Sequence, residues 1–167
     1  MMSLPPRFFQ HLLLLLFLST YLSPAISAED YKTFETKYTT IHYSNDKDID
    51  KFIWRIGGKR LNLESDTTLA KYRIDRIMER VQTILDMHPE DMHIDIFLSN
   101  MYKKINKVAF YSYKKNAIYI VVDNANDGVL AHEMAHAVIS SYFGTPPPAK
   151  MQEILAQYVD KQLWSDY

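Results

Sequence analysis

Apolar positions recur along this chain at two different spacings, and the alternation between them predicts the elements. Phe34–Tyr43 (FETKYTTIHY) is rich in threonine and aromatics and partly alternates, so it reads as a strand. Over Lys47–Ile56, Ile49, Phe52, Ile53 and Ile56 form one helical stripe, with Asn45 or Asp46 as cap and Gly57-Gly58 as stop. Arg60–Ser65 reads as a linker. Asp66–His88 is the clearest amphipathic helix. Ala70, Ile74, Ile77, Met78, Val81, Ile84 and Leu85 share one face, and Lys71, Arg73, Arg76, Glu79 and Arg80 make a solvated one. Pro89 is expected to end it.

Met92–Leu98 alternates well, with Met92, Ile94, Ile96 and Leu98 on one side and His93, Asp95 and Phe97 on the other, and predicts a half-buried strand. Asn100–Asn106 reads as a short helix or loop. Val108–Tyr113 and Ala117–Val122, joined at Lys114-Lys115-Asn116, predict a hairpin. Ala117–Val122 is apolar throughout and belongs in the middle of a sheet; Val108–Tyr113 belongs at its edge. Val129–Phe143 predicts a helix apolar on nearly every side, capped by Asn126 or Asp127 and stopped by Gly144. Thr145-Pro146-Pro147-Pro148 is a stiff connector. It leads to a final helix, Lys150–Trp164, whose apolar stripe is Met151, Ile154, Leu155, Tyr158, Val159 and Leu163.

The N-terminal residues change the picture of where the fold begins. Arg7 precedes the run Leu12–Leu18, Pro24 breaks it, and Ala25-Ile26-Ser27-Ala28 offers small residues for cleavage. Residues 1–28 therefore read as a signal peptide and 29–167 as one domain, secreted or periplasmic. The apolar run is short of the roughly 20 residues a membrane span needs, so no stable span is expected after cleavage. There is no cysteine, hence no disulfide framework. A net charge of −1 without any basic block argues against nucleic acid as a partner.

The chemistry is concentrated in the apolar helix. His132-Glu133-Met134-Ala135-His136 is an H-E-x-x-H motif. Residues i and i+4 lie about 40° apart around a helix, so His132 and His136 present two imidazoles to one side, at a spacing that can hold Zn²⁺. Glu133 falls beside such a metal, where a general base can take a proton from water. It is the only acidic or basic residue, histidines aside, between Val129 and Phe143, and an ionised carboxylate in an apolar helix is costly unless paired or near a metal. The bland alternative is two core histidines and a hydrogen-bonded glutamate. A catalytic zinc needs a third protein ligand, and Glu153, Asp160, Asp166, Asp123 and Asp127 are candidates. On the final helix Glu153, Gln157, Asp160 and Trp164 share one face, which could equally be solvent-facing.

His132-Glu133-Met134-Ala135-His136 followed by Glu153-Ile154-Leu155-Ala156-Gln157-Tyr158 resembles the gluzincin branch of the zincin metallopeptidases, and most of all the small peptidase-MA-like domains of bacterial envelopes. Their second helix carries E-G-L-A-x-Y, whose glutamate is the third zinc ligand. The resemblance implies that role for Glu153, and it departs at Ile154, where the family has glycine and a larger side chain could part the two helices. It further implies an α+β, zincin-like fold: a small mixed sheet with an edge strand over a two-helix zinc site. Ala109, Phe110 and Tyr111 would then bind substrate backbone, and the activity would be zinc-dependent hydrolysis of a peptide or protein. Tyr158, Tyr142, Tyr111 and Tyr113 are candidates for a second oxyanion donor, and Asp160 or Asp127 for a carboxylate that orients a ligand imidazole. The rival expectation is a zinc-binding envelope module that holds a partner in the same groove without cutting it.

Overall fold

A computed structural model of the chain describes residues 31–57, 67–100 and 106–165. The signal segment, the linker after Gly57, most of Asn100–Asn106 and Asp166 lie outside the described residues. Within them the architecture is mixed α+β: a five-stranded mixed sheet and four helices. The strands are β1 (Lys32–Glu35), β2 (Thr39–Tyr43), β3 (Ile94–Leu98), β4 (Ala109–Ser112) and β5 (Ala117–Ile120), in the order β1-β2-β3-β5-β4. β2, β3 and β5 run parallel in the centre, and β1 and β4 are antiparallel edges. The helices are α1 (Asp46–Gly57), α2 (Thr67–Leu85), α3 (Asp127–Phe143) and α4 (Ala149–Gln162). No helix among the described residues is long and apolar enough to cross a membrane.

The expected first strand is two strands. The Thr36 hydroxyl accepts from the backbone N–H of Tyr38 (3.3 Å) and Thr39 (3.1 Å), which turns the chain without glycine or proline. Asn45 caps α1, its side chain accepting from Asp48 N–H at 3.1 Å, and Ile49, Phe52, Ile53 and Ile56 are buried. α2 stops at Leu85 rather than at Pro89, because Asp86 takes a left-handed conformation, φ 53°. Its expected solvated face is partly engaged. Arg73 pairs with Asp127 at 3.0 Å, donates to Ile56 O at 3.2 Å and lies over the Trp164 ring. Arg80 donates to Gln162 O and Leu163 O, each at 3.4 Å. These two arginines tie α2 to the start of α3 and the end of α4.

Alternation along the strands separates two faces. Ile41, Ile96 and Ile118 stand opposite one another in register and are buried against the helices. Tyr111 of β4 continues that row. The next row, His42, Phe97, Tyr119 and Phe110, points the other way and stacks ring on ring, with centroids 4.4, 5.2 and 4.8 Å apart. β4 therefore offers the Ala109 and Tyr111 side chains to the helix side, and no strand among the described residues pairs with its outer edge.

α4 departs from the expected stripe. Ala156, Val159 and Leu163 are buried, but Met151, Ile154 and Tyr158 are exposed. Compared with the apolar pattern, the helix is turned by roughly 90° about its axis. The turn places Glu153 and Asp160, seven positions apart and so on one side, beside α3. Ile154 is 58% exposed and stands clear of α3, so it does not part the helices. Leu163→Ala is expected to cost about 2–5 kcal/mol in stability. Ile154→Ala should stay within about 0.5 kcal/mol. Urea unfolding of the two variants checks this contrast.

Candidate metal centre

α3 begins where Asn126 accepts from Val129 N–H at 2.9 Å, and it ends at Gly144, whose φ of 67° suits only glycine without strain. Between these ends its apolar residues fill the core: Leu130, Ala131, Met134, Ala135, Ala137, Val138 and Ile139 are buried. That packing fixes the helix's rotation. It leaves His132 and His136 on the side that faces α4, with ring centroids 5.1 Å apart. The proline connector folds α4 back across them. His132 Nε2 lies 3.5 Å from Glu153 Oε1, and His136 Nε2 lies 3.5 Å from Glu153 Oε2. One ligand atom from each of His132, His136 and Glu153 can be chosen so that all three lie within 4.8 Å of one another.

The donor set fits zinc on two further grounds. Asp160 Oδ2 lies 3.0 Å from His132 Nδ1. A carboxylate can only accept, so Nδ1 donates to Asp160, which leaves Nε2 as the ring atom that faces Glu153. This carboxylate–imidazole pairing is the arrangement that orients ligand histidines. Burial, and next the neighbouring His132, pushes the His136 imidazole below its usual range, which keeps it neutral and able to donate to a metal. Gln152 hydrogen-bonds the same ring and donates its amide N–H to Pro147 O at 2.7 Å. Asp160→Asn is expected to weaken zinc binding by about 10–100-fold without unfolding the chain. Competition against a chromogenic chelator, beside a far-ultraviolet spectrum, measures both.

Glu133 is 9% exposed. Burial holds its carboxyl above the usual carboxylate range, against the opposing pull of His132 and of the Tyr111 main chain. It lies at the floor of a cleft of about 450 Å³ whose walls include β4, His132, His136 and Glu153. Ala109, Phe110 and Tyr111 all line this cleft. The Phe110 ring, however, stacks on Tyr119 on the far face of the sheet, and the main chain of Tyr111 is the one that bonds Glu133.

The other candidates are placed elsewhere. Asp127 pairs with Arg73, and Asp123 with Lys51. His42 bonds Asp95, and His93 bonds Thr40. Tyr142 and Tyr158 are exposed and do not line the cleft, whereas Tyr111 and Tyr113 do. Burial also raises the Tyr111 phenol, whose Oη donates to Asn116 Oδ1 at 3.1 Å. Sequence reasoning did not single out Gln152; its signal, adjacency to Glu153 behind the proline turn, emerges only once α4's rotation is known. Comparison of the chain with protein families, with curated proteins and with solved structures gave no match, so the site's own chemistry carries the functional reading.

Proposed function

We propose that this protein is a zinc-dependent peptidase of zincin type, acting outside the cytoplasm, with His132, His136 and Glu153 as metal ligands. The observation that carries the reading is a buried carboxyl beside a two-imidazole, one-carboxylate cluster, under a sheet edge with which no strand among the described residues pairs. Zinc held there would supply Lewis acidity and bring the pKa of a water down to about 7.

The rest is work for the chain's own residues. Glu133 takes a proton from the attacking water and delivers it to the departing amine; a pKa above the ordinary carboxylate range suits both halves of that transfer. The outer edge of β4 binds an extended peptide by strand addition, which holds the scissile bond over Glu133. Tyr111 lines the cleft from the helix side of β4, but its single phenol hydrogen goes to Asn116, so it would donate to the developing oxyanion only after releasing that bond. Asp160 and Gln152 keep the imidazoles in place.

A binding-only module would need no carboxylate buried at this cost, and Glu133 has no salt-bridge partner among the described residues that would explain it structurally. The deciding experiment is zinc analysis together with cleavage of a mixed peptide library, run in parallel on wild type and Glu133→Gln. Near-stoichiometric zinc and chelator-sensitive cleavage, lost in the variant, are expected. Zinc without cleavage would favour the binding module, and no zinc after reconstitution would remove both.

A further inference from the structure

The cleft differs at its two ends. β4 and α3 run along it in the same sense. Toward their N-terminal ends, Val108 and Ala109 share a second cavity, of about 340 Å³, with Gly128, Val129 and His132. Midway, the Tyr111 main chain lies against Glu133. Toward their C-terminal ends, Tyr113 Oη donates to Gly144 O at 2.9 Å. An aromatic side chain thus crosses from the end of the edge strand to the cap of α3. Pro146 and Gln152 line the same end, and the Gln152–Pro147 hydrogen bond fixes the loop behind it. The space over Glu133 is crossed by a bar on one side and continues into the second cavity on the other.

We infer that the Tyr113–Gly144 bar makes this protein an exopeptidase, taking peptides with a free amino terminus and cutting after their first or second residue. The inference rests on the peptidase reading above. An extended peptide on the outer edge of β4 is more stable antiparallel than parallel. Its N-terminal residues then lie toward Tyr113, and its C-terminal residues toward Val108. Tyr113 stands two positions beyond Tyr111, and a strand rises about 3.3 Å per residue, so roughly two substrate residues fit between Glu133 and the bar.

The bar also ends at the C-terminus of α3, where carbonyls without helical partners carry partial negative charge. An α-ammonium group is favoured there; an acetylated terminus loses that attraction, and a longer N-terminal extension meets the Tyr113 ring. The second cavity leaves room for the chain beyond the cut. The step itself is hydrolysis: the C–N bond breaks, water supplies the oxygen of the new carboxylate, and the released amine receives the proton that Glu133 carries.

The test uses the zinc-loaded full chain and synthetic peptides that share one core, with one to six residues before it, free or N-acetylated. Mass spectrometry of the products should find cleavage only within two residues of a free amino terminus. Calorimetric binding to Glu133→Gln, which reads affinity without turnover, should favour free over acetylated peptides by about tenfold. Tyr113→Ala should admit cuts further in while free peptides still bind better than acetylated ones, because the α3 carbonyls remain; Tyr113→Phe, which keeps the ring, should retain the length limit. Equal cutting of acetylated peptides or of internal bonds by wild type, or a Tyr113→Ala variant whose cuts stay within two residues of the terminus, overturns the inference. A zinc-loaded chain that neither binds nor cuts any peptide sinks the peptidase reading itself, and the inference with it.

Discussion

Replacing Glu133 by Gln is expected to lower kcat by about 10²–10⁴-fold, the usual contribution of a positioned general base, while zinc stays bound. The amide fills the same space and keeps a hydrogen-bond acceptor toward the Tyr111 main chain, so the fold has no reason to move. It also removes the desolvation cost of a carboxylate that is only 9% exposed. The variant should therefore be at least as stable as wild type. Loss of turnover with retained zinc and an unchanged or higher Tm separates a base from a structural glutamate. If turnover and stability fell together, Glu133 would be holding the helix pair and not a proton. Single-turnover kinetics with metal analysis on one preparation resolves this.

The second large effect concerns the metal. On the proposed function zinc binds only the folded cluster, so at a free concentration about 1000-fold above Kd it should add roughly 4 kcal/mol to stability. Chelation should remove that increment, and Glu153→Ala should abolish it while leaving the metal-free Tm close to that of wild type. The reason is position. The Glu153 side chain is half exposed, and its contacts with His132 and His136 are 3.5 Å approaches rather than tight hydrogen bonds. Thermal scans of both proteins with and without zinc make the measurement. A Glu153→Ala protein that still gained the full zinc increment would show that a different acid completes the site.

Much of the architecture was legible in the chain. Period-two and period-3.6 patterns located β3, the β4–β5 hairpin and α1, the apolar stretch around H-E-x-x-H located α3, and the unbroken apolar run of Ala117–Val122 placed β5 inside the sheet with β4 outside it. Two of the readings that failed show why most clearly. Thr36 breaks the first strand through its side-chain hydroxyl, a signal that composition alone does not carry. α4 has Met151, Ile154 and Tyr158 in solvent and brings acids toward α3, against its own hydrophobic pattern. Local rules are broken in this way where a site is being built, and the departure points at Glu153 and Asp160. The chain could name those two acids as candidates. It could not show that Asp160 meets the Nδ1 of His132, nor that Tyr113 reaches Gly144, because both depend on how helices and strand are turned in space.

The proline connector has one more consequence. Two of the three proposed ligands sit on a helix sealed into the core, and the third on a helix held by the α3 interface and by Arg73 and Arg80 at its far end. Undocking of α4 alone would strip Glu153 and Asp160 from the site in a single event, while the histidines stayed where they are. The residence time of the ion would then report how often that one hairpin arm swings open, and hydrogen exchange in α4 should slow in step with it.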